Sequence, residues 1–148
     1  MTNQDKTVLV TGGSGFIATH CILKLAAAGY KVKSTVRNLE RVSDLNKILD
    51  KAGSTYERLN KIEVDWVSAD LTKDEGWPEA VKGCDYVMHV ASPVALEEPK
   101  DENDLIVPAK EGTMRVLKAA AEEGIKKIVL TSSAVSYTHL RAHETPIN

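Results

Sequence analysis

The chain has 148 residues, of which 43% are hydrophobic and 27% are charged, and its formal net charge is −2. This length and composition are typical of one globular domain and exclude a disordered or fibrous chain. Because the net charge is slightly negative and the lysines are interspersed with acids, we expect no nucleic-acid partner.

The amino terminus and the two cysteines indicate where the protein is located. Residues 1–6 are polar and run into a very short apolar stretch, so we predict neither a signal peptide nor a membrane-spanning segment. Cys21 and Cys84 are far apart and do not form a C-x-x-C pair. We interpret them as reduced, buried thiols without a metal or disulfide role, and we predict a cytoplasmic protein without membrane contact.

Strand and helix patterns alternate along the whole chain. Short apolar runs rich in β-branched residues predict buried strands at 7–12, 31–37, 61–71, 85–93 and 126–133. Helical periodicity predicts helices at 15–30, 39–53, 77–84 and 103–123. This alternation is typical of a doubly wound parallel α/β sheet of the Rossmann type, with strand order 3-2-1-4-5 and helices on both faces.

Apolar spacing and breaker residues add detail to the predicted helices. Gly29 and Gly124 are placed to end the first and last of them, and Pro108 is tolerable only near the start of its helix. The predicted core-facing stripes of the first two helices are Ile17, Cys21 and Leu25, and Val42, Leu45 and Ile48.

A glycine-rich turn joins the first strand to the first helix. In "TGGSGFIA", the residues Gly12, Gly15 and Ala18 form a G-x-x-G-x-x-A pattern. Gly12 allows a tight turn, Gly15 allows the backbone to approach a pyrophosphate, and Ala18 allows helix and strand to pack closely. The free N–H groups and the positive dipole end of the helix favour an anion. A G-x-x-x-x-G-K-[ST] phosphate loop is excluded, because Ile17 stands at the second glycine position and no lysine follows.

With its preceding threonine, this turn resembles the T-G-x-x-G-x-x-[GA] signature of the short-chain dehydrogenases/reductases. The resemblance is to the extended, NAD-dependent epimerase/dehydratase branch, which includes reductases similar to dihydroflavonol and cinnamoyl-CoA reductases. The stretches "VSADL", "HVASP", "PAKEGTMRVL" and "IVLTSSA" resemble further motifs of that branch. The likeness covers about residues 5–135, and the motifs follow in family order.

The resemblance implies a set of residues that contact the cofactor. The turn supplies the pyrophosphate contacts, the "VSADL" stretch those to the adenine, and the two later strand ends those to the rest of the dinucleotide. The implied residues are Gly12, Ser14, Gly15, Phe16, Ile17, Asp70, Leu71, Val90, Ala91, Ser92, Thr131 and Ser132.

Arg37 indicates which dinucleotide is bound. An acidic residue at the end of the second strand would accept hydrogen bonds from the adenosine ribose and favour NAD. This sequence has "TVRN" there, and arginine can pair bidentately with a 2′-phosphate. We therefore predict NADP(H) as the cofactor, with NAD(H) as the alternative.

Catalysis in the family depends on a serine after the fifth strand and on a Tyr-x-x-x-Lys pair further along the chain. Ser133 matches the serine that hydrogen-bonds the substrate carbonyl. The sequence contains no Tyr-x-x-x-Lys. Tyr137 and Arg141 have its spacing, but they follow Ser133 too closely to lie on another helix, and arginine replaces lysine poorly. We therefore expect the chain itself to be inactive.

The resemblance implies an oxidoreductase that reduces an aldehyde or ketone to an alcohol by hydride transfer. Its partner would be a small-molecule carbonyl or alcohol substrate, and a homodimer is compatible with the family. Two alternatives stay open: a nucleotide-sugar epimerase or dehydratase with bound NAD, and a non-enzymatic, dinucleotide-sensing regulator.

The last residues differ in character from the rest of the chain. The stretch "SYTHLRAHET", at 136–145, resembles the translation of a transposon-type sequencing-library adapter. It begins where the family resemblance ends. We therefore predict a partial dinucleotide-binding domain at 1–135, truncated after the fifth strand, and an artefact tail at 136–148.

The four histidines are interpreted without a metal role. His139 and His143 are spaced H-x-x-x-H, but they lie in the predicted tail. His20 lies within the first predicted helix and His89 within the fourth predicted strand, and we interpret both as structural rather than catalytic.

Overall fold

A five-stranded parallel sheet forms the centre of the fold. The computed structural model describes residues 3–93 and 99–133. The strands are β1 (Thr7–Val10), β2 (Lys31–Val36), β3 (Val64–Ser68), β4 (Tyr86–His89) and β5 (Lys127–Leu130). Their order is β3-β2-β1-β4-β5, and every neighbouring pair is parallel. The predicted fold class and strand order are confirmed.

In the described part of the chain, four α-helices connect the strands. They are α1 (Phe16–Ala27), α2 (Val42–Ala52), α3 (Trp77–Val81) and α4 (Asn103–Glu122). Short 3₁₀ turns at Asn3–Asp5 and Leu39–Arg41 and a π-type turn at Gly53–Glu57 accompany the helices, and Leu39–Arg41 lies at the start of the predicted helix 39–53. Within residues 3–93 and 99–133, no helix has both the length and the apolar character that crossing a membrane requires.

The predicted helix-ending glycines are confirmed. Gly29 follows α1 with φ +86°, and the N–H of Tyr30 donates to the carbonyl of Leu25 at 3.0 Å. Gly124 follows α4 with φ +83°, and the N–H of Ile125 donates to Ala120 at 2.9 Å. Both ends thus have the left-handed residue and the long-range hydrogen bond of a Schellman motif.

The sheet separates two hydrophobic cores. Consecutive residues Leu9 and Val10 of β1 belong to opposite cores, because side chains alternate across a strand. One core is formed with α1 and α2 and includes Val10, Ala18, Ile22, Leu23, Val32, Leu49 and Ile62. The other is formed with α3 and α4 and includes Leu9, Leu71, Trp77, Ala80, Val81, Val87, Val116, Ala119 and Ala120.

The predicted core-facing stripes of α1 and α2 were partly wrong. Ile17 is 54% exposed, whereas its neighbour Ala18 is 1% exposed and packs in the core. In α2, Ile48 is 55% exposed and Leu49 takes its place in the core, as both i+3 and i+4 can follow a buried residue. The small Ala18 faces the sheet because it permits the close helix–strand approach that the larger Ile17 would prevent.

Pro108 lies near the start of its helix, which begins at the predicted Asn103. It is the sixth residue of α4, in the second turn. Because proline has no N–H, it cannot donate to the carbonyl of Asp104, four residues earlier. The start of the helix is supported instead by Asp101, whose carboxylate accepts from the N–H of Asn103 at 2.8 Å.

Both cysteines are free thiols, as the sequence analysis predicted. Cys84 is 8% exposed, and burial raises its pKa to about 11. Cys21 is half-buried, and burial raises its pKa as well. A raised pKa keeps a thiol protonated, so neither side chain has the properties of a reactive cysteine.

Candidate dinucleotide site

The glycine turn lies at the carboxyl end of β1 and is held by β2. Gly12 has φ +72°, a conformation that side-chain-bearing residues rarely adopt, and a Cβ there would lie 2.9 Å from the Cβ of Ala91. The N–H of Gly12 donates to the Thr35 hydroxyl at 3.0 Å, and the N–H of Gly13 donates to the Thr35 carbonyl at 2.8 Å. The turn is therefore tied to the neighbouring strand by two hydrogen bonds.

The start of α1 offers hydrogen-bond donors to an anion. Gly15 is the N-cap residue and brings no capping side chain, and no acidic residue lies in the first turn. The first N–H groups of a helix have no partner within it, and the dipole end there is positive. Phe16 and Ile17, the first two helical residues, are exposed. This donor set fits a pyrophosphate.

A hydroxyl network connects the carboxyl ends of β1 and β4. The N–H groups of Val90 and Ala91 both donate to Thr11 Oγ1 at 3.0 Å. With both lone pairs used, the Thr11 hydroxyl donates its own proton to His89 Nδ1 at 2.8 Å. His89 is therefore the neutral tautomer with its proton on Nε2. It is 1% exposed, and burial lowers its pKa.

Arg37 follows β2 and is exposed at the same sheet edge. The Ser68 hydroxyl donates to the Arg37 carbonyl at 3.3 Å, which connects the ends of β2 and β3. A second exposed guanidinium, that of Arg41, was not predicted; it precedes α2 across the short turn after Arg37. Arg41 could have been proposed from the sequence, because it lies only four residues after Arg37. The Asn38 side chain caps this turn, accepting from the N–H of Glu40 at 2.9 Å.

Asp70 and Leu71 follow β3, and their side chains have different surroundings. Asp70 Oδ1 accepts from the N–H and the hydroxyl of Thr72 at 2.9 and 2.8 Å. These bonds, the backbone one first, and the nearby charge of Arg37 lower the pKa of Asp70. The Leu71 side chain is 9% exposed and belongs to the core beneath α4. Asp70 therefore remains ionised at the sheet edge, whereas Leu71 is almost fully buried.

The remaining predicted site residues follow β4 and β5. Val90 and Ala91 are half-buried, and Ser92 is exposed. The N–H of Thr131 donates to the His89 carbonyl at 3.0 Å, which holds the start of the segment after β5 against β4. Thr131, Ser132 and Ser133 are exposed. Every predicted site residue thus lies in a segment that leaves the carboxyl end of a strand, whereas Tyr137, Arg141, His139 and His143 lie outside the described residues.

A parallel sheet whose order reverses beside a glycine turn, with that turn opening a helix, defines a dinucleotide-binding protein of the Rossmann type. Residues 9–143 match the family model described as the 3-beta hydroxysteroid dehydrogenase/isomerase family. The chain belongs to this family, and the resemblance inferred from the sequence motifs is confirmed.

Named relatives and solved structures agree with this assignment. The chain is 38% identical over 146 residues to dihydroflavonol 4-reductase of Zea mays, an alignment that covers 98% of this chain and 39% of the relative. Gre2 of Candida albicans, solved with NADPH, is 30% identical with a TM-score of 0.71, covering 86% and 37% of the two chains. UDP-glucose 4-epimerase of Bifidobacterium longum, solved with NAD+ and UDP, is 28% identical with a TM-score of 0.68, covering 89% and 38%. The chain therefore spans less than half the length of these relatives.

Proposed function

We propose that this chain is the dinucleotide-binding part of an NADP(H)-dependent reductase that reduces an aldehyde or ketone to an alcohol. The observation that carries the proposal is the position of Arg37, an exposed guanidinium at the carboxyl end of β2, on the sheet edge that also bears the glycine turn. A guanidinium pairs with a 2′-phosphate, whereas an acidic residue there would favour NAD. The likeness to a dihydroflavonol 4-reductase and to the NADPH-bound Gre2 supports the proposal.

The proposed contacts follow the order of the strand ends across the sheet. The glycine turn holds the pyrophosphate, Arg37 holds the 2′-phosphate, and the loop after β3 borders the adenine. The segments after β4 and β5 border the nicotinamide half. The residues assigned in this way are Gly12, Ser14, Gly15, Phe16, Ile17, Arg37, Asp70, Leu71, Val90, Ala91, Ser92, Thr131 and Ser132.

Ser133 is proposed to donate a hydrogen bond to the substrate carbonyl. When bound, the nicotinamide supplies the hydride. The product oxygen must then be protonated, and a positioned acid contributes about 10²–10⁴-fold to such a step. Because the sequence contains no Tyr-x-x-x-Lys, we propose that the chain binds the dinucleotide without turning over a substrate.

Calorimetric titration of the purified chain with NADPH and with NADH tests the proposed binding. We expect tighter binding of NADPH, and equal or tighter binding of NADH would contradict the NADP(H) assignment. Oxidation of NADPH with a panel of aldehydes tests the proposed inactivity. Turnover by the chain that disappears in Tyr137→Phe would show that the segment after 135 is catalytic, and that its interpretation as an artefact is wrong.

A nucleotide-sugar epimerase or dehydratase with bound NAD is the second candidate. It is favoured by the likeness to the epimerase solved with NAD+ and UDP. The dinucleotide that co-purifies with the full-length protein separates the two functions, because an epimerase would retain NAD, whereas a reductase would exchange NADP(H).

A further inference from the structure

The side chain of Arg115, on α4, holds the loop that follows β3. Its Nη1 donates to the carbonyl of Leu71 at 3.0 Å, and its Nε donates to Asp74 Oδ1 at 2.6 Å. The Arg115 side chain is 22% exposed and that of Asp74 is 87% exposed, so the ion pair is open to water, whereas the hydrogen bond to the Leu71 carbonyl is partly buried. The guanidinium therefore fixes two points of a loop that begins beside Asp70.

The backbone of α4 approaches the same part of the loop. Gly112 lies one turn before Arg115, and a Cβ on it would stand 3.0 Å from the Cβ and 3.2 Å from the carbonyl oxygen of Leu71. Helix and loop are therefore in direct contact at Leu71, and the Arg115 hydrogen bond acts on the same carbonyl. Any shift of α4 would be transmitted to the backbone next to Asp70.

Asp70 itself is oriented by bonds within the loop and by α3. Its carboxylate accepts from Thr72, and its carbonyl accepts from Trp77 Nε1 at 3.1 Å. Trp77 also donates to the carbonyl of Lys73 at 3.1 Å. Asp70, at the proposed adenine site, is thus held by Trp77 of α3 and by Thr72 of its own loop. The next residue, Leu71, is held by α4.

We propose that Arg115 is a positioning residue for the adenine end of the dinucleotide, acting through the loop that carries Asp70 and Leu71. The inference rests on the proposed function and extends it, because it makes affinity for the adenosine half depend on a side chain of α4. Arg115 does not itself touch the nucleotide in this arrangement. Its loss leaves the Leu71 carbonyl and Asp74 without their shared partner.

The affinity of the full 148-residue chain for two probes tests the inference. The first probe, 2′,5′-ADP, carries the adenine, and the second, inorganic pyrophosphate, engages only the glycine turn. Both are measured by displacement of bound NADPH, followed by its fluorescence. We expect Arg115→Met to weaken the binding of 2′,5′-ADP about tenfold and to leave the binding of pyrophosphate unchanged. The affinity of Arg115→Lys for 2′,5′-ADP should lie between those of wild type and Arg115→Met.

Glu111→Gln is the matched control. Glu111 Oε2 lies 3.7 Å from Arg115 Nη1 on the same helix, and within residues 3–93 and 99–133 this glutamate makes no hydrogen bond to the loop. The control should therefore bind both probes as the wild type does. If Arg115→Met does not fold, the affinities of Arg115→Lys for the same two probes test the inference.

Two results would overturn the inference. Unchanged binding of 2′,5′-ADP by a folded Arg115 variant would show that the loop does not need α4. Equal losses for both probes would show a general structural role and no positioning of the adenine end. A wild-type chain that binds neither NADPH nor 2′,5′-ADP would instead overturn the proposed function, so the two failures are distinguishable.

Discussion

The hydroxyl of Ser34 lies where a Cβ on Gly13 would have to be. Ser34, in β2, donates this hydroxyl to the carbonyl of Val10 at 2.7 Å and is fully buried. The ring of Trp66, in β3, would lie 2.5 Å from the same Cβ. Gly13 therefore lets two neighbouring strands pack directly beneath the glycine turn, a role distinct from the positive φ of Gly12.

Gly13→Ala should destabilise the chain by about 1–3 kcal/mol, because the added methyl overpacks this contact. Replacing Ser34 by alanine in the same chain removes one of the two obstacles and should recover part of the loss. Thermal unfolding of the single and double variants measures both effects. Ser14→Ala, at an exposed position of the same turn, should change stability by less than about 0.5 kcal/mol. A double variant whose loss equals the sum of the losses of Gly13→Ala and Ser34→Ala would contradict the packing account.

Thr11→Val should destabilise the chain by about 2 kcal/mol or more, although the two side chains have the same shape. The substitution leaves the N–H groups of Val90 and Ala91 and the Nδ1 atom of His89 without their partner, and each unsatisfied buried group costs about 1–3 kcal/mol. Urea unfolding measures the change. Thr11→Ser keeps the hydroxyl and should lose much less; a Thr11→Val loss no greater than that of Thr11→Ser would contradict the role of the network.

Acidification should weaken the fold through His89. Burial lowers the pKa of this side chain, so the unfolded chain binds a proton at a higher pH than the folded chain does. The stability that His89 contributes is therefore fully present above its pKa in the unfolded chain, about 6.5. It decreases as the pH falls from there towards the pKa of His89 in the folded chain.

Urea unfolding between pH 8 and pH 5 measures this dependence in three chains. His89→Gln should show a smaller decrease than wild type, because the titrating group is gone. His20→Gln, at an exposed helical position, should keep the wild-type dependence. Parallel curves for wild type and His89→Gln would mean that other groups cause the acid sensitivity.

Arg37→Asp should weaken binding of NADPH more than binding of NADH. The carboxylate removes the cation proposed to pair with the 2′-phosphate, and it can accept hydrogen bonds from a ribose instead. Titrations with both dinucleotides give the ratio of the two losses. Arg58→Asp makes the same charge change between the π-type turn and β3, and should leave the ratio unaltered. Equal losses for both dinucleotides in Arg37→Asp would refute the role of Arg37.

The strand order and the glycine turn were predictable, because both depend on local patterns and on the handedness of strand crossovers. The buried stripe of α1 was not, because Ile17 and Ala18 are adjacent and only the contact with β1 decides between them. The role of Gly13 was not predictable either, since Ser34 and Trp66 reach it from other strands. Arg115 lies in the motif-like stretch "PAKEGTMRVL", but its contacts were not predictable, because its partners lie more than 40 residues away.

The chain has two tryptophans, and the sheet keeps them apart. Trp66 packs on the side of α1 and α2, next to Gly13, and Trp77 is 2% exposed on the side of α3 and α4. Each layer of the molecule thus contains its own intrinsic fluorophore. With either tryptophan replaced by phenylalanine, the emission of the other would report on one layer alone. The unfolding of the two layers could then be followed separately without an added label.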